Sequence, residues 1–204
     1  MRKIFVTGVG TDVGKTIVSA VLVEALGADY WKPVQSGSFH GTDTLKVKSL
    51  IKNEKTRFHP ESYLLEQNMS PHSAAEAEGV KIDINRIELP ASNNSTLIIE
   101  GAGGLLVPLN REHFIIDLVK KFDCEVLLVT MNYLGSINHT LLSIEALRQR
   151  NIKVTGIVFN GTRHPLSEDI IMHHGKFNSV HYINRELEIN PNVISKYAEA
   201  FKDI

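Results

Sequence analysis

Gly8-Val9-Gly10-Thr11-Asp12-Val13-Gly14-Lys15-Thr16 follows directly on the apolar run Ile4-Phe5-Val6. A short strand, a glycine-rich turn and a helix opening near Lys15 make a phosphate cradle at the mouth of a parallel sheet. The helix start aims free backbone N–H groups and its positive dipole end at whatever sits in the turn. Lys15 adds a full charge at the outer phosphates, and the Thr16 hydroxyl is placed to ligate Mg²⁺. Behind them Ile17, Val21, Ala25 and Val18, Leu22, Leu26 recur at helical spacing. Gly10, Thr11, Asp12, Val13 and Gly14 complete the residues expected to touch a nucleotide. Val9 stands where the usual spacing has a glycine, and five residues separate Gly8 from Gly14, so the loop is one residue longer at its start.

Composition narrows the setting. A chain of 204 residues suits one domain with a substantial core. The formal net charge is −1 and the Lys and Arg residues are scattered, which argues against a nucleic-acid surface and suits a small charged metabolite. Cys124 is the only cysteine, so no intrachain disulfide forms and a reducing interior is the natural compartment. No secretory segment is visible, and no stretch approaches the ~18 apolar residues of a membrane span. The expectation is a soluble cytoplasmic protein with no membrane partner.

Apolar runs at 3–7, 96–99, 125–130 and 153–159 are spaced to leave room for helices, and the last three are continuous rather than alternating. Strands of that kind are buried on both faces, the mark of a parallel sheet covered by helices. Shorter runs at 28–31 and 179–183 bring the expected strands to about six, and helices are expected at 16–26, 43–52, 114–122, 137–150 and 191–201. The fold class is α/β: a mostly parallel central sheet flanked by helices, a P-loop NTPase-like three-layer sandwich, with ligands at the carboxyl ends of strands. Residues 1–204 read as a single domain with a less regular insertion at about 37–94 lying over the sheet edge.

Polar motifs follow the expected strands. Lys32-Pro33-Val34-Gln35-Ser36-Gly37 puts a lysine at a strand end beside the phosphate loop, although a lysine there, taken alone, more often opens a turn in solvent. Leu97-Ile98-Ile99 ends in Glu100 and then Gly101-Ala102-Gly103-Gly104. A carboxylate at that point suits Mg²⁺, and the glycines let backbone amides approach a substrate. In Gly41-Thr42-Asp43-Thr44, either Thr42 or Asp43 serves as a helix N-cap, and Asp43 serves equally as a metal ligand. Among nine histidines no zinc spacing occurs, and His173-His174 reads as a surface pair.

These motifs, with Ser70-Pro71-His72, Val107-Pro108-Leu109, Leu134-Gly135-Ser136-Ile137-Asn138-His139 and Phe159-Asn160, resemble the dethiobiotin synthetases, in order from residue 3 to about 162. The resemblance implies an ATP- and Mg²⁺-dependent enzyme. It would carboxylate 7,8-diaminopelargonic acid with CO₂ and close the ureido ring in biotin synthesis. By similarity Lys15 stabilises the transferring phosphoryl, Lys32 bridges it to the carbamate, and Thr11 and Ser36 hydrogen-bond the carbamate end. Thr16, Asp43 and Glu100 take Mg²⁺, and Asp12 lies near the amines. His72, Gly101, Gly103, Gly104, Val107, Pro108 and Leu109 belong to the substrate region, and Asn160 recognises the base. The resemblance further implies a homodimer in which the helix start at Leu134, Gly135, Ser136, Ile137 and Asn138 receives the substrate carboxylate of the neighbouring subunit; helix-start physics also favours an anion there.

Two departures stand out. Position 12 is Asp where the family often has Glu, and His181-Tyr182-Ile183-Asn184 replaces a Gly-x-Ile-Pro segment that encloses adenine. Weak discrimination among nucleoside triphosphates is therefore expected. The rival reading is a nucleotide-switch ATPase of the partitioning or positioning type. Those carry an early loop lysine, whereas Val9 and Gly10 stand here.

Overall fold

The computed structural model describes residues 1–204, except for the side chain of His40. In chain order the elements are β1 (Arg2–Gly8), α1 (Lys15–Leu26), β2 (Asp29–Trp31), β3 (Val34–Gln35), α2 (Asp43–Leu50), β4 (Phe58–His59), β5 (Tyr63–Leu64) and α3 (Pro71–Ala77). There follow β6 (Thr96–Gly104), α4 (Ile115–Lys121), β7 (Glu125–Met131), α5 (Ser136–Gln149), β8 (Val154–Gly161), α6 (Pro165–Gly175), β9 (Val180–Asn184) and α7 (Pro191–Ala198).

Seven strands form one sheet in the order β4-β2-β6-β1-β7-β8-β9, every pairing parallel. Alternate residues of the central strands feed two cores. Ile4, Val6 and Ile98 pack with Val18, Val21 and Leu22 of α1 and Ile194 of α7, while Phe5, Leu97 and Ile99 pack with Ile116 and Val119 of α4. Because both faces are covered, the strands carry no polar alternation, which is why they read as continuous apolar runs. The α1 helix ends where Gly27 adopts a left-handed φ of 55°, a turn that frees the chain to enter β2 at once.

Three features differ from the sequence-based expectation. The sheet has seven strands rather than about six, because Phe58–His59 of the insertion adds an edge strand; two residues are too few to show a periodicity. That edge is tied down from the side: His59 Nε2 lies 3.1 Å from Asp29 Oδ2, in a pair with both side chains buried. Within the insertion a two-stranded sheet of β3 and β5 and the short α3 also form. Finally, α6 was not anticipated; its Pro165 start and buried Glu168 and Ile171 give it little apolar signal of its own. Among the described residues no helix is long and apolar enough to cross a membrane.

Candidate active site

The phosphate loop joins β1 to α1 at the carboxyl edge of the sheet. Its additional residue is anchored, for Val9 N donates to Val129 O of β7 at 3.1 Å and its side chain packs on the α1-side core. The loop closes at Gly14, whose φ of 93° is one that residues with a side chain rarely adopt. A Cβ there would lie 2.1 Å from Asn160 Nδ2. Asn160, at the end of β8, donates that amide to Val13 O at 3.0 Å and so braces the turn from below. A Cβ on Gly10, by contrast, would meet nothing within 4 Å, so the cradle is open at that point. Thr11 and Asp12 are exposed, and Val13 is buried in the core.

Lys15 folds back over the loop, its Nζ donating to Gly10 O at 2.9 Å. Burial lowers its pKa to about 8, against the pull of Glu100 and with some help from the Lys32 charge. The next residue turns the other way. Thr16 Oγ1 donates toward Glu100 Oε1 at 2.8 Å and Asp43 Oδ1 at 3.0 Å. Lys32 closes the cluster, with Nζ 2.5 Å from Asp43 Oδ2 and 3.1 Å from Glu100 Oε1. At 3% exposure Lys32 is not the solvated turn lysine that its type alone suggests. Burial would depress its pKa, but Glu100 and Asp43 together outweigh burial and hold it above the ordinary lysine value.

Register explains why these groups meet. Tyr30 of β2 pairs with Ile98 of β6, so Lys32 and Glu100, each two residues further on, emerge on the same face. That face is the one covered by α1, whose first turn carries Thr16. Asp43 arrives from the insertion. Thr42 takes the N-cap, its side chain accepting from Leu45 N at 3.1 Å, which leaves the Asp43 carboxylate free for the cluster. Gln35 Oε1 accepts from Asp43 N at 2.9 Å and Tyr30 OH donates to Glu100 Oε2 at 2.9 Å. Neither support was expected from sequence; the two-residue step from Tyr30 to Lys32 on one strand was the available signal.

The donor set fits Mg²⁺. A hydroxyl and two carboxylates are hard oxygen ligands, and Mg²⁺ commonly takes one or two carboxylates together with substrate phosphates. Among the described residues no group of three or more His, Cys, Asp and Glu side chains could hold a metal alone.

The remaining expected residues spread around this centre. Among the described residues, Ser36 Oγ is enclosed without a hydrogen-bond partner. Gly104 pairs with Gly8 across the β1–β6 ladder. At Gly101 a Cβ would meet Phe5 Cε1 at 2.8 Å, so this glycine serves packing as well as approach. Gly103 lies beside Val107, and Val107 N donates to Gly104 O at 3.2 Å. Leu109 points into the core, while Pro108 O accepts from His72 N at 3.3 Å. The His72 ring is held between Ser70 Oγ at 3.0 Å and Ser73 Oγ at 3.1 Å. Leu134, Gly135, Ser136, Ile137 and Asn138 open α5 after Gly135 takes φ 100°, and the Leu134 side chain is fully exposed. His173 and His174 are both exposed.

A family model described as an AAA domain matches residues 2–192. An ATP-dependent dethiobiotin synthetase BioD of Cytophaga hutchinsonii is 50% identical over 198 residues, covering 97% of this chain and 96% of the relative. The same enzyme of Christiangramia forsetii is 49% identical (98% and 96% covered), and that of Chlamydia pneumoniae 40% identical (100% and 91%). Among solved structures, the cell division ATPase MinD of Pyrococcus furiosus superposes with a TM-score of 0.60 at 15% identity, covering 100% of this chain and 99% of that one. That likeness shows the fold alone and lends the partitioning-ATPase reading no support in sequence. Identity of this extent along nearly the whole length, together with the long phosphate loop and the acids that face it, means that the chain belongs to the AAA-domain family and, within it, to the ATP-dependent dethiobiotin synthetases.

Proposed function

We propose that this chain uses ATP, with Mg²⁺, to join CO₂ to 7,8-diaminopelargonic acid and close the ring of dethiobiotin, in a cytoplasmic homodimer with its sites at the subunit interface. The observation that carries this reading is the pair of buried lysines at the phosphate loop, Lys15 on Gly10 O and Lys32 on the carboxylates of Asp43 and Glu100. A carbamate and a triphosphate are both anions, and their meeting needs cations between them.

One amine attacks CO₂ and loses a proton, giving the carbamate. A carbamate oxygen then displaces ADP from the γ-phosphorus. The second amine attacks the carbamoyl carbon, phosphate leaves and a proton is lost as the ring closes. Lys15 stabilises the transferring phosphoryl, and Lys32 spans from it to the carbamate. Thr11 and Ser36 donate to the carbamate oxygens; the enclosed Ser36 hydroxyl has no other partner among the described residues. Asp12 lies toward the amines, and Gly101, Gly103, Gly104, Val107 and Pro108 wall the substrate. Thr16, Asp43 and Glu100 would hold Mg²⁺, which when bound neutralises phosphate charge. For Asn160 a role at the base is consistent with its place beside the loop.

The exposed Leu134 just before α5 and Leu142 in its middle suit a subunit interface, and the free N–H groups of that helix start suit a carboxylate. The protein incubated with MgATP, labelled bicarbonate and the diamine is expected to yield acid-stable label; nucleotide binding without label overturns the assignment. For the shared site, Lys32→Met and Asn138→Asp subunits, each inactive alone, are expected to recover about a quarter of native activity when mixed, since half the dimers then hold one intact site. No recovery on subunit exchange refutes an interface site.

A further inference from the structure

The structure assigns Tyr30 as the residue that sets which oxygen of Glu100 faces the metal, an inference that rests on the reading of Thr16, Asp43 and Glu100 as ligands. Glu100 is almost wholly buried, and its two oxygens have different partners. Oε1 meets Thr16 Oγ1 and Lys32 Nζ, the two groups that must rearrange when a cation arrives: the hydroxyl has to turn its lone pair inward, and the ammonium has to withdraw. Among the described residues Oε2 meets only the Tyr30 hydroxyl, at 2.9 Å.

Tyr30 is also held in place. It is fully buried on β2, its backbone lies in the ladder with β6, and its ring packs against Phe58 of the edge strand at 5.8 Å. Of the three donors to Glu100, it is the one that has no second task. A fixed donor on Oε2 prevents the carboxylate from rotating or chelating with both oxygens, and it leaves Oε1 as the presented ligand. Partners of this kind, one step behind a metal ligand, typically govern metal affinity by roughly 10–100-fold.

The test is Mn²⁺ binding to the full-length protein with a non-hydrolysable ATP analogue, followed by the electron paramagnetic resonance of free Mn²⁺. Tyr30→Phe keeps the ring and is expected to weaken Mn²⁺ at least about tenfold while leaving metal-free nucleotide affinity unchanged. Phe58→Leu, which loosens the same packing but keeps the hydroxyl, is expected to lower thermal stability without that loss. In a Glu100→Gln background the effect of Tyr30→Phe is expected to vanish. Native Mn²⁺ affinity in folded Tyr30→Phe, or an equal loss in Phe58→Leu, overturns the assignment. Should Tyr30→Phe fail to fold, the native protein labelled at tyrosine serves instead: a protected hydroxyl proton that persists on adding metal and nucleotide supports the assignment, and one that is lost overturns it. Glu100→Gln with unchanged Mn²⁺ affinity would instead remove the ligand reading itself.

Discussion

Replacing Lys32 by methionine nearly keeps the volume of the side chain and deletes its charge with its N–H donors, so it isolates what the ammonium does for its two acids. In the native protein Nζ touches Asp43 Oδ2 at 2.5 Å and Glu100 Oε1 at 3.1 Å. Glu100 is 1% exposed and the Asp43 side chain 33%. Removing one partner of a buried ion pair costs about 3–5 kcal/mol, because the remaining charge is left without compensation. Water reaches Asp43, which argues for a value at or below the lower end of that range, about 2–4 kcal/mol. For a chain of this size each kcal/mol shifts the melting temperature by roughly 2–4 °C, so Lys32→Met is expected to melt about 5–15 °C below the native protein at pH 7.

The pH dependence carries a sign. Burial would raise the Asp43 pKa, but Lys32, with Thr16 and Lys15, holds it below the ordinary aspartate value. The stabilisation is therefore complete above that ordinary value and is lost as pH falls through the folded one. The gap between native protein and variant is expected to hold from pH 7 down to about 4 and to narrow as pH falls below that. Millimolar Mg²⁺ is expected to restore the variant more than it stabilises the native protein, since no ammonium has to leave first. Urea or thermal melts across pH, with and without Mg²⁺, measure all three. A variant within about 1 kcal/mol of native at pH 7, or a gap that does not change with pH, refutes the account of Lys32 as counter-ion to both acids.

Three further outcomes are expected. With the Asn160 amide given to Val13 O and no Gly-x-Ile-Pro segment in β9, kcat/KM for CTP and GTP should fall within about tenfold of that for ATP, a difference of ~1.4 kcal/mol; a preference a hundredfold larger counts against this. Because unliganded Lys15 titrates at about 8, triphosphate binding should restore its proton, so calorimetry in buffers of different ionisation heat should show proton uptake between pH 8 and 9 and affinity falling as pH rises. No uptake would mean that Lys15 stays charged without ligand. Gly14→Ala, at φ 93° and 2.1 Å from Asn160 Nδ2, should lower nucleotide affinity severely and cost at least about 1 kcal/mol of stability. A wild-type titration would show that the loop tolerates a different closure.

Much of the site was legible before folding. The phosphate loop is local chemistry: glycines, a helix start, Lys15 and Thr16 all lie within nine residues, and the neighbouring strands announce themselves by unbroken apolar runs. The Glu100 carboxylate was legible too, as a charge at the end of such a run. Less could be said of Asp43, because a helix start accepts Thr42 or Asp43 as its cap; the fold resolves this by giving the cap to Thr42. The edge strand β4, the small β3–β5 sheet and α3 were unreadable for another reason. They are two to seven residues long and owe their form to what they pack against.

The sequence by itself determined that this chain closes a loop around phosphate at the edge of a parallel sheet, and its motifs named the dethiobiotin synthetases. Only the tertiary structure decided what Lys32, Tyr30 and Gln35 do. A lysine after a strand is solvated or buried according to what meets it, and here Asp43 of α2 meets it from one side and Glu100 of β6, 68 residues away in the chain, from the other. A tyrosine two residues before it reads as core until β6 brings a carboxylate within reach of its hydroxyl. Charge and hydrogen-bonding capacity are written in residue types, but burial and partnership are properties of distant segments meeting, and these set the chemistry of the site.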